Sequence, residues 1–394
     1  MTVLTTPGRA GKLHPMSVSA AEQAVVDRVP TGVLIGGTWR EASTGATLGV
    51  EDPSTGTTLC QVADASSSDA VAALAAAVDA QAGWAATAPR ARGEVLRRSY
   101  ELITERIDEL ALLMTLEMGK PLAESRAEVA YAADFLRWFA EEAVRIDGRF
   151  AVAPAGGSRL LTMRQPVGPC LLVTPWNFPM AMGTRKVGPA IAAGCTMVVK
   201  PAQLTPLSML ALADILQEAG LPGGVCNVVT SSSAATVVDP LVSDPRLRKL
   251  SFTGSTGVGR HLLAAAAEQV LNVSMELGGN APFVVFGDAD LEAAVDGAVI
   301  AKMRNMGEAC TAANRFHVHR SVAAEFTERL GERLAALRVG RGTDPEVEVG
   351  PLISASARAG VKELVAAAVP RGARLVPGGT AVEELPIVVP TSRW

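Results

Sequence analysis

The feature that most constrains the fold is a series of short apolar segments between Cys170 and Glu276, separated by helix-like stretches. They are Cys170–Thr174, Thr196–Lys200, Val225–Thr230, Lys249–Thr253 and Val273–Glu276. A strand apolar on both faces is buried on both faces, and strands joined through helices run parallel. The pattern predicts an α/β fold built on a doubly wound parallel sheet. Such sheets take ligands outside the carboxyl ends of their strands. Asn177, Lys200, Ser255 and Glu276 end or follow these strands, so they are the first candidates for a site.

Upstream, Val33–Ala42 and Ala46–Ala65 read as short strands with turns at Gly36-Gly37 and Pro53-Ser54-Thr55-Gly56. Ser66 to Asp69 offers a cap for an alanine-rich helix, and a helical hairpin from about Arg90 to Ile146 is punctuated by Gly119-Lys120-Pro121. Phe135, Trp138 and Phe139 share helical spacing and suit either core or a substrate tunnel. Downstream, Phe283–Phe286 and Phe316–His319 read as strands, and Asp290–Met306, Ala323–Leu337 and Ser354–Val369 as helices. A further strand is expected near Glu383–Pro390. The division that follows is a mobile arm over residues 1–30, a cofactor-binding domain over 31–272, and a second α/β catalytic domain over 273–394, incomplete at its C-terminus.

Charge and cysteine usage exclude several classes of function. The net charge is −4 with no basic stripe, which gives no nucleic-acid footprint. No apolar run reaches the length of a membrane span, and the first residues lack the apolar core of a secretory leader. Five scattered cysteines with no CxxC argue for a reducing, cytoplasmic setting and against a disulfide framework or zinc site. His317 and His319 alternate with apolar residues and read as a polar strand face, not a metal pair.

Of the five cysteines, only Cys310 lies in a polar, turn-like context. Glu276 precedes it by 34 positions, beside the pair Gly278-Gly279. A thiolate can attack a carbonyl, and a carboxylate across the pocket can activate water to release what the cysteine holds.

Five motifs occur in order: Thr174-Pro175-Trp176-Asn177-Phe178-Pro179, Lys200-Pro201-Ala202, Phe252-Thr253-Gly254-Ser255 with Gly259, Glu276-Leu277-Gly278-Gly279, and Cys310. Together they closely resemble the aldehyde dehydrogenase superfamily over about Val33 to Pro377. The resemblance implies that Cys310 adds to an aldehyde, that the Asn177 amide and the Cys310 backbone N–H stabilise the oxyanion, that hydride leaves to a nicotinamide, and that Glu276 activates water against the resulting thioester. It assigns Thr174, Pro175, Trp176, Lys200, Gln203, Gly254, Ser255, Gly259 and Leu277 to the cofactor. Gln203 stands where NAD-preferring members often carry glutamate, so an acid that would repel a 2′-phosphate is absent; NADP is favoured over NAD. Arg185 and Arg304 match the arginines that grip a substrate carboxylate in succinate-semialdehyde dehydrogenases, and the stretches Glu117–Glu124 and Cys310–Arg315 also look like that subfamily. Planar guanidinium forks suit such a carboxylate. Glu308 departs from the usual glutamine and is expected to point away from the cysteine.

The family's Glu-x-Phe-Gly-Pro motif lies further past the cysteine than this chain reaches, and the tail after Gly379 departs from the pattern, so a truncated catalytic domain is expected. A homo-oligomer is implied through the segment at about 151–166. Two other readings stay open: a CoA-acylating semialdehyde dehydrogenase, against which Glu276 argues, and a catalytically silent chain that binds nucleotide.

Overall fold

A computed structural model describes residues 18–373. The possible strand near Glu383–Pro390 lies outside the described residues. The chain opens with helix α1 (Ala20–Val26), whose Ser19 and Glu22 form a reciprocal capping box. Residues 20–30 are therefore not part of a mobile arm, which corrects the expectation for that stretch. The reason is burial: Val26 and Val29 join the main core, and the Arg341 guanidinium bonds Glu22 and Asp52. Two antiparallel hairpins follow, β1 (Val33–Ile35) with β2 (Thr38–Arg40) and β3 (Thr47–Asp52) with β4 (Thr57–Ala63).

Ser66 caps α2 (Ser67–Ala86), as its side-chain chemistry predicts. The expected helical hairpin is three helices: α3 (Pro89–Glu105), α4 (Ile107–Met118) and α5 (Leu122–Glu142). The break at Arg106 carries no Gly or Pro to announce it. The break at Gly119 does, with φ +92° at the end of α4 and Pro121 before α5. A solvent-facing antiparallel hairpin, β5 (Arg149–Val152) with β6 (Arg159–Thr162), then leads into the main sheet.

The main sheet contains β7 (Cys170–Val173), β8 (Met197–Lys200), β9 (Cys226–Val228), β10 (Lys249–Gly254) and β11 (Asn272–Leu277), all parallel. Helices α6 (Ala181–Ala193), α7 (Leu207–Glu218), α8 (Ala234–Val242) and α9 (Thr256–Glu268) connect them in turn. Among the described residues the strand order is β11-β10-β7-β8-β9-β1-β2, with β1 joined antiparallel to β9. Alternate residues feed two separate cores: Cys170, Leu172, Met197 and Val199 pack on one face, and Leu171, Val173 and Val198 on the other. That two-faced burial is what the all-apolar strands require. The order reverses between β7 and β10. The loops after these two strands therefore flank the crevice where doubly wound sheets bind ligands.

The smaller second unit pairs β12 (Ala281–Val285) in parallel with β13 (Ala313–Val318), joined through α10 (Leu291–Met303). Helix α11 (Ala323–Ala335) contributes Phe326 to its small core, and α12 (Ala355–Ala368) follows. Helix α10 stops at Met303, short of the expected Met306, because Asn305, Met306 and Gly307 all take positive φ.

Candidate active site

The site lies where the loop after β7 meets the turn after α10. Residues 174–180 form the loop. Thr174 is buried and its N–H donates to the Lys200 carbonyl, while the Thr205 hydroxyl donates to the Trp176 carbonyl. These bonds fix the path of the segment that presents Asn177. The Asn177 Nδ2 donates to the Glu308 carbonyl at 2.6 Å, so the loop and the turn that carries Cys310 are tied together two residues before the cysteine. One N–H of that amide is thereby oriented, and the nitrogen carries a second for a ligand.

Cys310 is exposed, whereas Cys170, Cys195 and Cys226 are buried and Cys60 is half-buried. Gly279 lies against it: a Cβ there would come within 3.3 Å of the Cys310 carbonyl oxygen. This contact brings the Gly-Gly pair after β11, three residues beyond Glu276, to the Cys310 turn. Glu276 itself is exposed near the end of β11. The buried Lys186 of α6 feels the Glu276 charge; burial pushes this ammonium down to about 8, and its Nζ donates to Ser251 at 2.8 Å. Its signal in the sequence was a lysine on an otherwise buried helix face, beside Arg185.

Arg185 and Arg304 are both exposed, and each guanidinium stands over an aromatic ring at 6.0 Å, Phe135 for the first and Phe178 for the second. Phe135 is half-buried and Trp138 is 60% exposed, so the aromatic group of α5 is not simply core. His317 and His319 are exposed, and the His319 ring bonds the Ser321 hydroxyl.

On the other side of the crevice, Ser255 caps α9, its hydroxyl accepting from the Val258 N–H. Thr256 and Gly257 are exposed, and nothing lies within 4 Å of where a Gly257 Cβ would stand. At Gly259 a Cβ would meet Leu277 at 2.5 Å, so glycine lets the first turn of α9 close on the end of β11. An open helix N-terminus with glycine beside it suits a pyrophosphate. Lys200 is buried at the end of β8; burial pushes it down to about 8, and nearby Asp64 opposes that shift. Gln203 is exposed just beyond it. Together these residues fit a dinucleotide.

Sequence reasoning missed a buried polar centre behind the site. Lys120 is fully buried, and its Nζ donates to Glu128 at 2.5 Å, to the Asn177 carbonyl at 2.8 Å and to the Asn305 side chain. The other Glu128 oxygen accepts from the Met180 and Ala181 N–H groups. Glu308 faces the same centre. Burial pushes its carboxyl up to about 8, against the pull of Lys120 and a bond from the Ile353 N–H. Its buried Oε2 has no hydrogen-bond partner among the described residues.

The profile of the Aldehyde dehydrogenase family matches residues 39–391, which carries the likeness past Gly379, where the motifs alone had ended it. A succinate-semialdehyde dehydrogenase of Paenarthrobacter nicotinovorans is 62% identical over 325 residues, spanning 82% of this chain and 72% of the relative. A glutarate-semialdehyde dehydrogenase of Pseudomonas aeruginosa is 49% identical over 345 residues, spanning 88% of this chain and 71% of the relative. The crystal structure of an Escherichia coli NADP-dependent enzyme superimposes with a TM-score of 0.90 at 47% identity, covering 93% of this chain and 76% of that one. Among the described residues no helix is long and apolar enough to cross a membrane.

Proposed function

The chain belongs to the aldehyde dehydrogenase family of NAD(P)-dependent oxidoreductases, and we propose that it oxidises succinate semialdehyde to the acid through Cys310. The observation that carries the reading is the hydrogen bond from the Asn177 amide to the Glu308 carbonyl, which joins an oxyanion donor to the turn of an exposed thiol.

The Cys310 sulfur adds to the aldehyde carbon and makes a thiohemiacetal. The Asn177 amide holds the developing oxyanion, with the Cys310 N–H as its partner. The nicotinamide, when bound, supplies the hydride acceptor. Glu276 then takes a proton from water, which attacks the thioester and releases the acid. Ser255, Gly254, Gly259 and Leu277 would hold the pyrophosphate side of the dinucleotide, and Thr174, Pro175, Trp176, Lys200 and Gln203 the side towards the adenosine. With Gln203 in place of an acid, NADP is the preferred form. The E. coli structure named as NADP-dependent supports that choice.

The substrate assignment rests on Arg185 and Arg304, two exposed cations, the first over Phe135 of α5 and the second over Phe178 of the Asn177 loop. They suit an aldehyde with a carboxylate at its far end. A second reading, glutarate semialdehyde, has support from the P. aeruginosa relative. One methylene is worth about 10- to 200-fold in kcat/KM. Competition between the two semialdehydes with NADP tests the choice: the reading expects succinate semialdehyde to be favoured, and preference for the longer substrate contradicts it. The exposed β5–β6 hairpin, with Phe150, Leu161 and Met163 each more than two-thirds exposed, is the surface through which a homo-oligomer would form.

A further inference from the structure

The helix break at Gly119–Pro121 places four charged residues around the back of the site. Glu117 caps α7, Glu124 accepts the Asn305 N–H through both oxygens at 3.1 Å, Glu128 holds the Met180 and Ala181 N–H groups, and Lys120 lies between them. Two of the Lys120 contacts reach the two segments that form the site: the Asn177 carbonyl of the loop and the Asn305 side chain of the turn before Cys310. Asn305 is buried at φ 54°, ψ 41°, in the left-handed region that non-glycine residues seldom enter. Met306, next to it, is also left-handed. The Asn305 Nδ2 donates to the Asn177 carbonyl at 3.0 Å and to the Glu308 carbonyl at 3.3 Å. That Glu308 carbonyl is the same oxygen to which the Asn177 amide donates. A closed loop of contacts thus runs Lys120, Asn177, Glu308, Asn305 and back. Strained backbone held by such an over-determined network is the arrangement found where geometry matters to function.

We propose that Lys120 and Asn305 are positioning residues that aim the Asn177 amide at the carbonyl carbon's oxygen by clamping the loop of residues 174–180 to the turn that carries Cys310. Neither touches substrate. The inference rests on the reading of Asn177 as oxyanion donor, and it does not depend on which aldehyde or cofactor the protein uses. It also explains why the only lysine in the stretch Glu117–Glu124 is buried completely: a cation is needed to draw a backbone carbonyl and a side-chain amide from two distant segments to one point.

The test separates thiol reactivity from oxyanion stabilisation, without any cofactor. Alkylation of Cys310 by iodoacetamide is a displacement at saturated carbon and needs only the thiolate. Hydrolysis of p-nitrophenyl acetate needs the thiolate and the oxyanion donor: the sulfur forms a thioester, p-nitrophenolate leaves, and water then releases acetate. Two variants, Asn305→Asp and the double variant Lys120→Met with Glu128→Gln, are compared with wild type and with the controls Asn177→Ala and Cys310→Ala. Asn305→Asp keeps the size and the tolerance for positive φ but loses both N–H donations. Lys120→Met with Glu128→Gln removes both charges together, so no lone buried charge is left to unfold the protein.

Ester hydrolysis is expected to fall about 10- to 100-fold in both variants, towards the Asn177→Ala level, with the iodoacetamide rate within about threefold of wild type. Ester hydrolysis retained within threefold overturns the proposal. So does a proportional fall of both reactions, which marks a merely structural role, and so does wild-type hydrolysis that survives Cys310→Ala. A wild-type protein that hydrolyses the ester through Cys310 but oxidises no semialdehyde sinks the proposed function and leaves this inference standing.

Discussion

Glu308 departs from the behaviour of an ordinary surface carboxylate. Its carboxyl is buried near Lys120 and is pushed from the ordinary range up to about 8. An unfolded glutamate titrates near 4.3, so between these values the folded chain holds a proton that the unfolded chain has released. Stability contributed by that proton is fully present below the unfolded value and is lost as the pH rises through about 8. Glu308→Gln removes the titration. Its melting temperature is expected to match wild type near pH 4.5 and to exceed it by a margin that grows up to pH 8. Thermal melts across that range check this, and a constant difference would place the carboxyl in solvent. The sequence alone leads one to expect Glu308 to point away from the cysteine. The structure gives a different account, in which its side chain turns inward to Lys120 and the Ile353 N–H while its carbonyl anchors Asn177.

At the scale of elements, the break between α4 and α5 organises more than its sequence suggests. Glu117, buried at the end of α4, accepts from the Leu207 N–H at 2.7 Å and the Ser208 N–H at 2.8 Å, so one helix caps another 90 residues away. Glu117→Ala leaves those donors buried and unpaired, and is expected to cost about 2–3 kcal/mol. Denaturant unfolding reads this directly, and a cost below about 0.5 kcal/mol would mean that water replaces the carboxylate. The strands from Cys170 to Glu276 were legible because an apolar run flanked by helices has few alternatives, and Asn177, Ser255 and Cys310 were legible because each sits in a motif. Lys120, Glu128 and Asn305 were not. Their meeting depends on three segments far apart in the chain, and a Gly-Lys-Pro break reads locally as punctuation. The end of α10 was misjudged for a related reason. Asn305 and Met306 are compatible with helix, and their left-handed backbone is imposed by tertiary bonds to Glu124 and to the sulfur of Met306 from the Gly350 N–H.

For the whole molecule, the doubly wound sheet explains where the site must be. Its order reverses between β7 and β10, and the loops leaving those strands carry Asn177 and Ser255. The second unit is joined by the segment around Gly342 and Gly350, which packs so closely on the helix break that a Cβ at Gly350 would stand 2.0 Å from the Gly119 carbonyl. The β5–β6 hairpin projects apolar side chains to solvent, and it is the surface proposed above for a homo-oligomer. Leu161→Glu is expected to lower the mass measured by light scattering to that of a smaller assembly without changing the melting of the main sheet; an unchanged mass would remove the hairpin from the interface.

The central claim is that Cys310 attacks an aldehyde within this frame. The most direct test is reduced-cofactor formation by the 394-residue chain with succinate semialdehyde and NADP, beside Cys310→Ala. The account predicts turnover in the wild type and none in the variant. Equal rates in the two proteins, or no turnover from a folded sample that binds NADP, would contradict it.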